Sequence, residues 1–115
     1  MRVLIAADSV GGVWTYALEL ARALEPLGAG AVLAVMGAPL TPDQRRQAAG
    51  IELYESAFKL EWMEDPWEEV ARAGAWLLDL EARLRPAIVH LNGYAHGALP
   101  WRAPALVVGH SCVLS

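Results

Sequence analysis

"AADSVGGVWTYALELARAL", residues 6–24, runs from an apolar stretch through a double glycine into an amphipathic pattern. Val3 to Ala7 form a continuous apolar run of the buried-strand type, closed by Asp8-Ser9 and then Gly11-Gly12. Beyond Gly12 the period changes. Val13, Ala17, Leu20, Leu24 and Leu27 recur at helical spacing, which predicts one apolar helix face. Pro26 falls in the last turn or beyond, and Gly28 and Gly30 end the helix. The double glycine reads in two ways, as the tight turn between strand and helix or as a cradle for phosphate. A side-chain-free helix N-terminus lets an anion approach backbone N–H groups and the positive end of the helix dipole. "SVGGVW" has neither the GxGxxG spacing nor a Walker Lys-Ser/Thr, so a dinucleotide fingerprint and a P-loop are both excluded.

Outward from that junction the alternation repeats. Ala31 to Met36 is a second buried-type strand. "TPDQ" at 41–44 starts a short helix, with Thr41 as N-cap, Pro42 in the first position and Gln44 closing a capping box. Ile51, Leu53 and Tyr54 mark a third strand. "DPWE" at 65–68 repeats the capping pattern with Asp65, Pro66 and Glu68. The helix after it carries Val70, Ala73, Leu77, Leu80 and Leu84 on one stripe, and Pro86 stops it. "AIVHL" and "ALVVGH" are a fourth and a fifth strand of the buried type, separated by "NGYAHGALPW". The expected fold is α/β, a Rossmann-like open parallel sheet of about five strands in order 3-2-1-4-5, with helices on both faces and right-handed crossovers.

Composition bounds the function. The 115 residues are 56% hydrophobic and 19% charged, with a formal net charge of −4. That is one small globular unit without a basic stripe; Arg45-Arg46 reads as a solvated helix face, and nucleic acid is not an expected partner. No apolar run approaches the roughly 20 residues of a membrane span. The single cysteine, Cys112, excludes an internal disulfide and suits a reducing compartment, so the expected location is the cytoplasm. Trp67 and Trp76, on the long helix, are expected to pack rather than to stack on a ligand.

In an open parallel sheet, ligands bind beyond the carboxyl ends of the strands where the strand order reverses. Strands 1 and 4 flank that point. Asp8, Ser9, Gly11 and Gly12 follow strand 1, His90, Asn92 and Gly93 close strand 4, and His110 and Ser111 close strand 5. His90 and Asn92, two apart, share one face of an extended segment, opposite Val89 and Leu91. Each polar residue also has a structural reading, as a group that ties a strand end to a neighbouring loop. His110 suits a hydrogen bond to a ligand oxygen or acid–base work. His90, His96, His110 and Cys112 do not have zinc-ligand spacing, and no metal or cofactor is expected. Ser9 and Ser111 lack a nucleophile elbow, and only Asp8 fits a phosphoacceptor pattern.

"MRVLIAADSVGGVWTYALELARAL", "AIVHLNGY" and "ALVVGHSCV" resemble the N-terminal domain of retaining glycosyltransferases of the GT-B fold, family 4, the glycogen-synthase-like and sucrose-synthase-like group. The resemblance covers nearly the whole chain. It implies two facing Rossmann-like domains, with residues 1–115 forming a single Rossmann-like unit, an N-terminal fragment on the acceptor side. Gly11 and Gly12 would then lie near the donor diphosphate and transferred sugar, and His110 would line the reaction centre as the catalytic residue. Asp8, Ser9, His90 and Asn92 would shape the acceptor side. Partners would be a nucleotide-sugar donor and an acceptor, with no bound metal. Nothing in the sequence matches the donor half, so the chain alone is expected to be inactive and to self-associate through an exposed sheet edge. The alternatives are a stand-alone Rossmann-like module for a phosphorylated ligand or a protein partner, and a flavodoxin-like small-molecule enzyme.

Overall fold

A computed structural model of the chain describes residues 1–9, 11–56, 67–93 and 95–109. Strands β1 (Arg2–Asp8), β2 (Gly30–Met36), β3 (Glu52–Glu55), β4 (Ile88–Leu91) and β5 (Ala105–Val107) alternate with helices α1 (Gly12–Leu24), α2 (Pro42–Gln47) and α3 (Trp67–Leu84). All pairings are parallel and the order is β3-β2-β1-β4-β5, the expected doubly wound arrangement. In this order, crossover hand decides the face on which each helix lies. Moving from β1 to β3 places α1 and α2 on one face, and the return from β3 to β4 places α3 on the other.

The central strand shows why the sequence specifies this sheet. Its alternate residues enter two cores. Val3, Ile5 and Ala7 join Leu33 and Val35 beneath α1, whereas Leu4 and Ala6 join Val32, Ala34, Val89 and Leu91 beneath α3. Leu77 and Leu80 of α3 are fully buried there, each worth about 2 kcal/mol by transfer of apolar surface. Arg45 binds Glu55, which raises its pKa through their hydrogen bond and charge attraction, and Arg46 binds Asp43. Among the described residues no helix is long and apolar enough to cross a membrane.

Several local expectations need correction. The buried positions of α1 are Trp14, Ala17 and Ala21, while Val13, Leu20 and Leu24 pack only at the margin of the core. The helix ends at Leu24, and a 3-10 turn over Glu25–Leu27 containing Pro26 swings Leu27 outward, leaving it 79% exposed. Burial turned toward Trp14 because its indole N–H donates to Gln47 Oε1 at 2.8 Å, joining α1 to α2. Strand β5 is not buried as expected: Leu106 is 53% exposed, and among the described residues β5 is an edge strand with β4 as its one neighbour. Trp76 packs against the α3-side core as expected, but Trp67, at the start of α3, is exposed. The cap residues Asp65 and Pro66 lie outside the described residues.

A glycine inside α3 brings the loop before β5 onto the helix. A Cβ at Gly74 would stand 3.2 Å from Leu99 Cδ1 and 3.3 Å from His96 Cδ2, so the close approach depends on its absence. His96 hydrogen-bonds the Val70 carbonyl through Nε2 at 2.9 Å, and Trp101 Nε1 donates to the His96 carbonyl at 2.9 Å.

Candidate functional site

The carboxyl edge is organised by one side-chain amide. Gln44 Oε1 accepts from the Thr41 N–H at 2.9 Å, its backbone N–H donates to Thr41 Oγ1 at 3.1 Å, and its Nε2 donates to the Ser9 carbonyl at 2.5 Å. The capping box of α2 therefore also holds the end of β1. Ser9 is 1% exposed; its hydroxyl donates to the Ala38 carbonyl at 2.5 Å and its N–H to the Met36 carbonyl at 3.1 Å. Its polar groups are committed to the loops after β1 and β2, and it shapes the edge by fixing where the chain leaves the sheet.

Two residues later, Gly11 takes φ 75° and ψ −153°, a backbone region open essentially to glycine alone. It is the N-cap of α1, with no side-chain cap and no acidic residue in the first turn. Gly12 is different. Its φ lies outside the left-handed region and a Cβ there would meet nothing within 4 Å. Both glycines are exposed. The fold requires glycine at 11 and does not require it at 12. The first turn of α1 thus presents its N–H groups without an internal carboxylate to neutralise them, an arrangement suited to an anion.

Strand β4 brings the second group to the same edge. Val89 and Leu91 enter the α3-side core, and His90, pointing the other way, is 6% exposed beneath α1. Its Nε2 lies 3.5 Å from Tyr16 Oη, and the two rings stand 5.8 Å apart at 31°. Asn92 Nδ2 donates to the Ala6 carbonyl at 3.0 Å, tying the end of β4 to β1. Asp8, half-buried, ends β1 beside Met36 of β2. Asp8, Ser9, Gly11, Gly12, His90 and Asn92 thus share one edge, while His110, Ser111 and Cys112 lie outside the described residues.

Sequence reasoning missed Tyr16, and of Gln44 it read only the capping box, which the structure shows. Tyr16 had a readable signal: it stands one helical turn after Gly12, on the face that meets the strand ends. The second role of Gln44, bonding Ser9 across 35 positions, had none. Glu81 was missed as well. It is 3% exposed, and its carboxylate accepts from the N–H groups of Arg102 at 3.0 Å and Ala103 at 2.8 Å.

Known proteins share this fold. MurG of Acinetobacter baumannii superposes with a TM-score of 0.67 at 18% identity, over 94% of this chain and 35% of that one. A glycosyltransferase of Rickettsia africae gives 0.63 at 15%, over 92% and 28%. The C-terminal domain of a Pyrococcus furiosus hydrogenase gives 0.70 at 11%, over 93% and 90%. At these identities the likeness is one of fold. The chain spans about a third of the length of MurG and of the Rickettsia glycosyltransferase and nearly all of the hydrogenase domain. No curated protein matches the sequence. The family model of the glycosyl transferase 4-like domain matches residues 11–115, from the first glycine of the loop onward, and the chain belongs to that family.

Proposed function

We propose that residues 1–115 form the acceptor-side, N-terminal part of a two-domain retaining glycosyltransferase that moves a sugar from a nucleotide-sugar donor to an acceptor. Gly11 and Gly12 face the donor diphosphate and the transferred sugar. His110 lines the reaction centre as the catalytic residue, and Asp8, Ser9, His90 and Asn92 shape the acceptor side. The observation that carries the reading is Gly12, in unstrained backbone with open space around its Cβ position, at an uncapped helix start. Close approach of a ligand explains a glycine that the fold itself does not need. As charge builds on the departing diphosphate, the N–H groups of this turn stabilise it without reorganising.

The reaction divides between two halves. The nucleotide and most of the donor contacts belong to a facing domain, so this chain alone binds donor weakly and does not turn over. The unpaired edge of β5, with Leu106 beside it, favours self-association of the isolated chain. A single cysteine fits work in the cytoplasm.

The test is Gly12→Val in the complete enzyme. Loss of about one hundredfold or more in transfer rate is expected, on the scale of removing one preorganised oxyanion donor, with a thermal midpoint close to wild type. Wild-type turnover would remove the cradle. A second reading, a self-sufficient module binding a phosphorylated ligand, draws on the hydrogenase domain of similar length and fold. Calorimetry on the chain alone separates the two: micromolar affinity for a nucleoside-diphosphate sugar favours the module.

A further inference from the structure

The opposite edge of the sheet holds a pocket that the proposed transfer does not use. Glu81, Arg85, Pro86, Ala87, Arg102 and Ala103 line a cavity of about 400 Å³. These residues precede β4 and β5, so the pocket lies at the amino ends of the strands, whereas Gly11 and Gly12 follow the carboxyl end of β1. The seven residues of β1 separate the two edges by about 23 Å. The volume falls in the range of small-molecule sites.

Two independent features mark this pocket. The first is charge. The other arginines of the chain all reach a carboxylate or a backbone carbonyl, from Arg2 on Glu52 to Arg83 on Asp79. Among the described residues, only the guanidiniums of Arg85 and Arg102 have no such partner, and both line the same cavity. The buried Glu81 carboxylate, which lines the same cavity, accepts from the backbone N–H groups of residues 102 and 103, which fixes the segment that carries Arg102.

The second feature is backbone strain. Arg85, immediately after the last residue of α3, has φ 48°, and among the described residues it is the one non-glycine with positive φ. Glycine is the usual residue at such a helix end, and an L side chain there costs about 1 kcal/mol or more. A strained position that keeps a long cation in place of glycine points to a use for that cation.

We propose that this pocket binds a phosphomonoester metabolite, its phosphate held between Arg85 and Arg102. Two guanidiniums from separate segments suit a dianion with three equivalent oxygens better than a planar carboxylate. The cavity leaves room beside the phosphate for a sugar-sized body.

The experiment is a titration of the full chain with methyl phosphate, ribose 5-phosphate and malonate, followed by amide chemical shifts. Saturable shifts are expected at Arg85, Ala87, Arg102 and Ala103, with ribose 5-phosphate tighter than methyl phosphate and malonate weaker than both. Arg85→Gly and Arg102→Gln should each weaken the phosphates about tenfold or more, on the scale of a charge-assisted hydrogen bond. Arg85→Gly is informative because it relieves the strained backbone and so keeps the fold. Shifts confined to Gly11 and Gly12, malonate binding as tightly as the phosphates, or undiminished affinity in both variants would each overturn the proposal. Failure here leaves the carboxyl-edge reading standing, since the two edges share no residue.

Discussion

The two edges of this sheet reach order by opposite means. At the carboxyl edge the side chains are spent inside the protein: Gln44 on the Ser9 carbonyl, Asn92 on the Ala6 carbonyl, and His90 beside Tyr16. What remains open is backbone, at Gly11 and Gly12. At the amino edge the backbone is the satisfied part, clamped by Glu81, and what remains open is side chain, the guanidiniums of Arg85 and Arg102. Backbone N–H groups offer a fixed, uncharged cradle that costs no reorganisation. Exposed arginines offer full charge on flexible stems, which adapt to a ligand and lose rotamer freedom on binding it. The first suits a site where charge appears during a reaction, the second a site that holds a ready-made anion.

Replacing Glu81 would disturb the comparison most. Glu81→Leu leaves the N–H groups of residues 102 and 103 without their acceptor, and about 3 kcal/mol of unfolding free energy should be lost in urea titration. Glu81→Gln, which keeps an acceptor oxygen, should lose less. A smaller effect is expected at the other edge: Gly11→Ala forces a Cβ into the φ 75° backbone and should cost about 1–2 kcal/mol. Arg85→Gly should act in reverse, adding about 1 kcal/mol by removing left-handed strain, measured as a rise in the urea midpoint without ligand. The smallest shift belongs to Gly12→Ala, neutral or stabilising by up to about 1 kcal/mol in a helix. A large loss of stability there would mean that the fold does need this glycine.

Most of the sheet was legible because its signals are local and repetitive. Val3 to Ala7 and Ala31 to Met36 are unbroken apolar runs, and the stripe from Val70 to Leu80 repeats at helical spacing over several turns. Those patterns mark the elements, and strands apolar on both faces need helices on both sides of the sheet, which with right-handed crossovers requires the order to reverse after β3. Legibility failed where a residue's role depends on a partner distant in sequence. Leu27 fits the helical period, yet the 3-10 turn at Pro26 carries it into solvent. Trp14 lies off the predicted stripe, yet Gln47 gives its indole N–H a partner and permits burial. Glu81 sits on an apolar helix face as an apparent misfit until the loop before β5 folds onto it. At the candidate site, the glycines, the two-residue spacing of His90 and Asn92 and the place of Tyr16 one turn after Gly12 were readable, while the bond of Gln44 to Ser9 acquired meaning only in the folded chain.

Strand β1 has a consequence for how the molecule breathes. It is hydrogen-bonded on both sides and buried on both faces, so its amides open to solvent only when the whole sheet comes apart. Strand β5 has one neighbour and three residues, and its amides exchange by local fraying that leaves the centre intact. Ser9, which leads out of this slowest-opening strand and is held by the Met36 and Ala38 carbonyls, keeps its place for as long as the sheet stays together, while the far edge can detach and return many times within that interval.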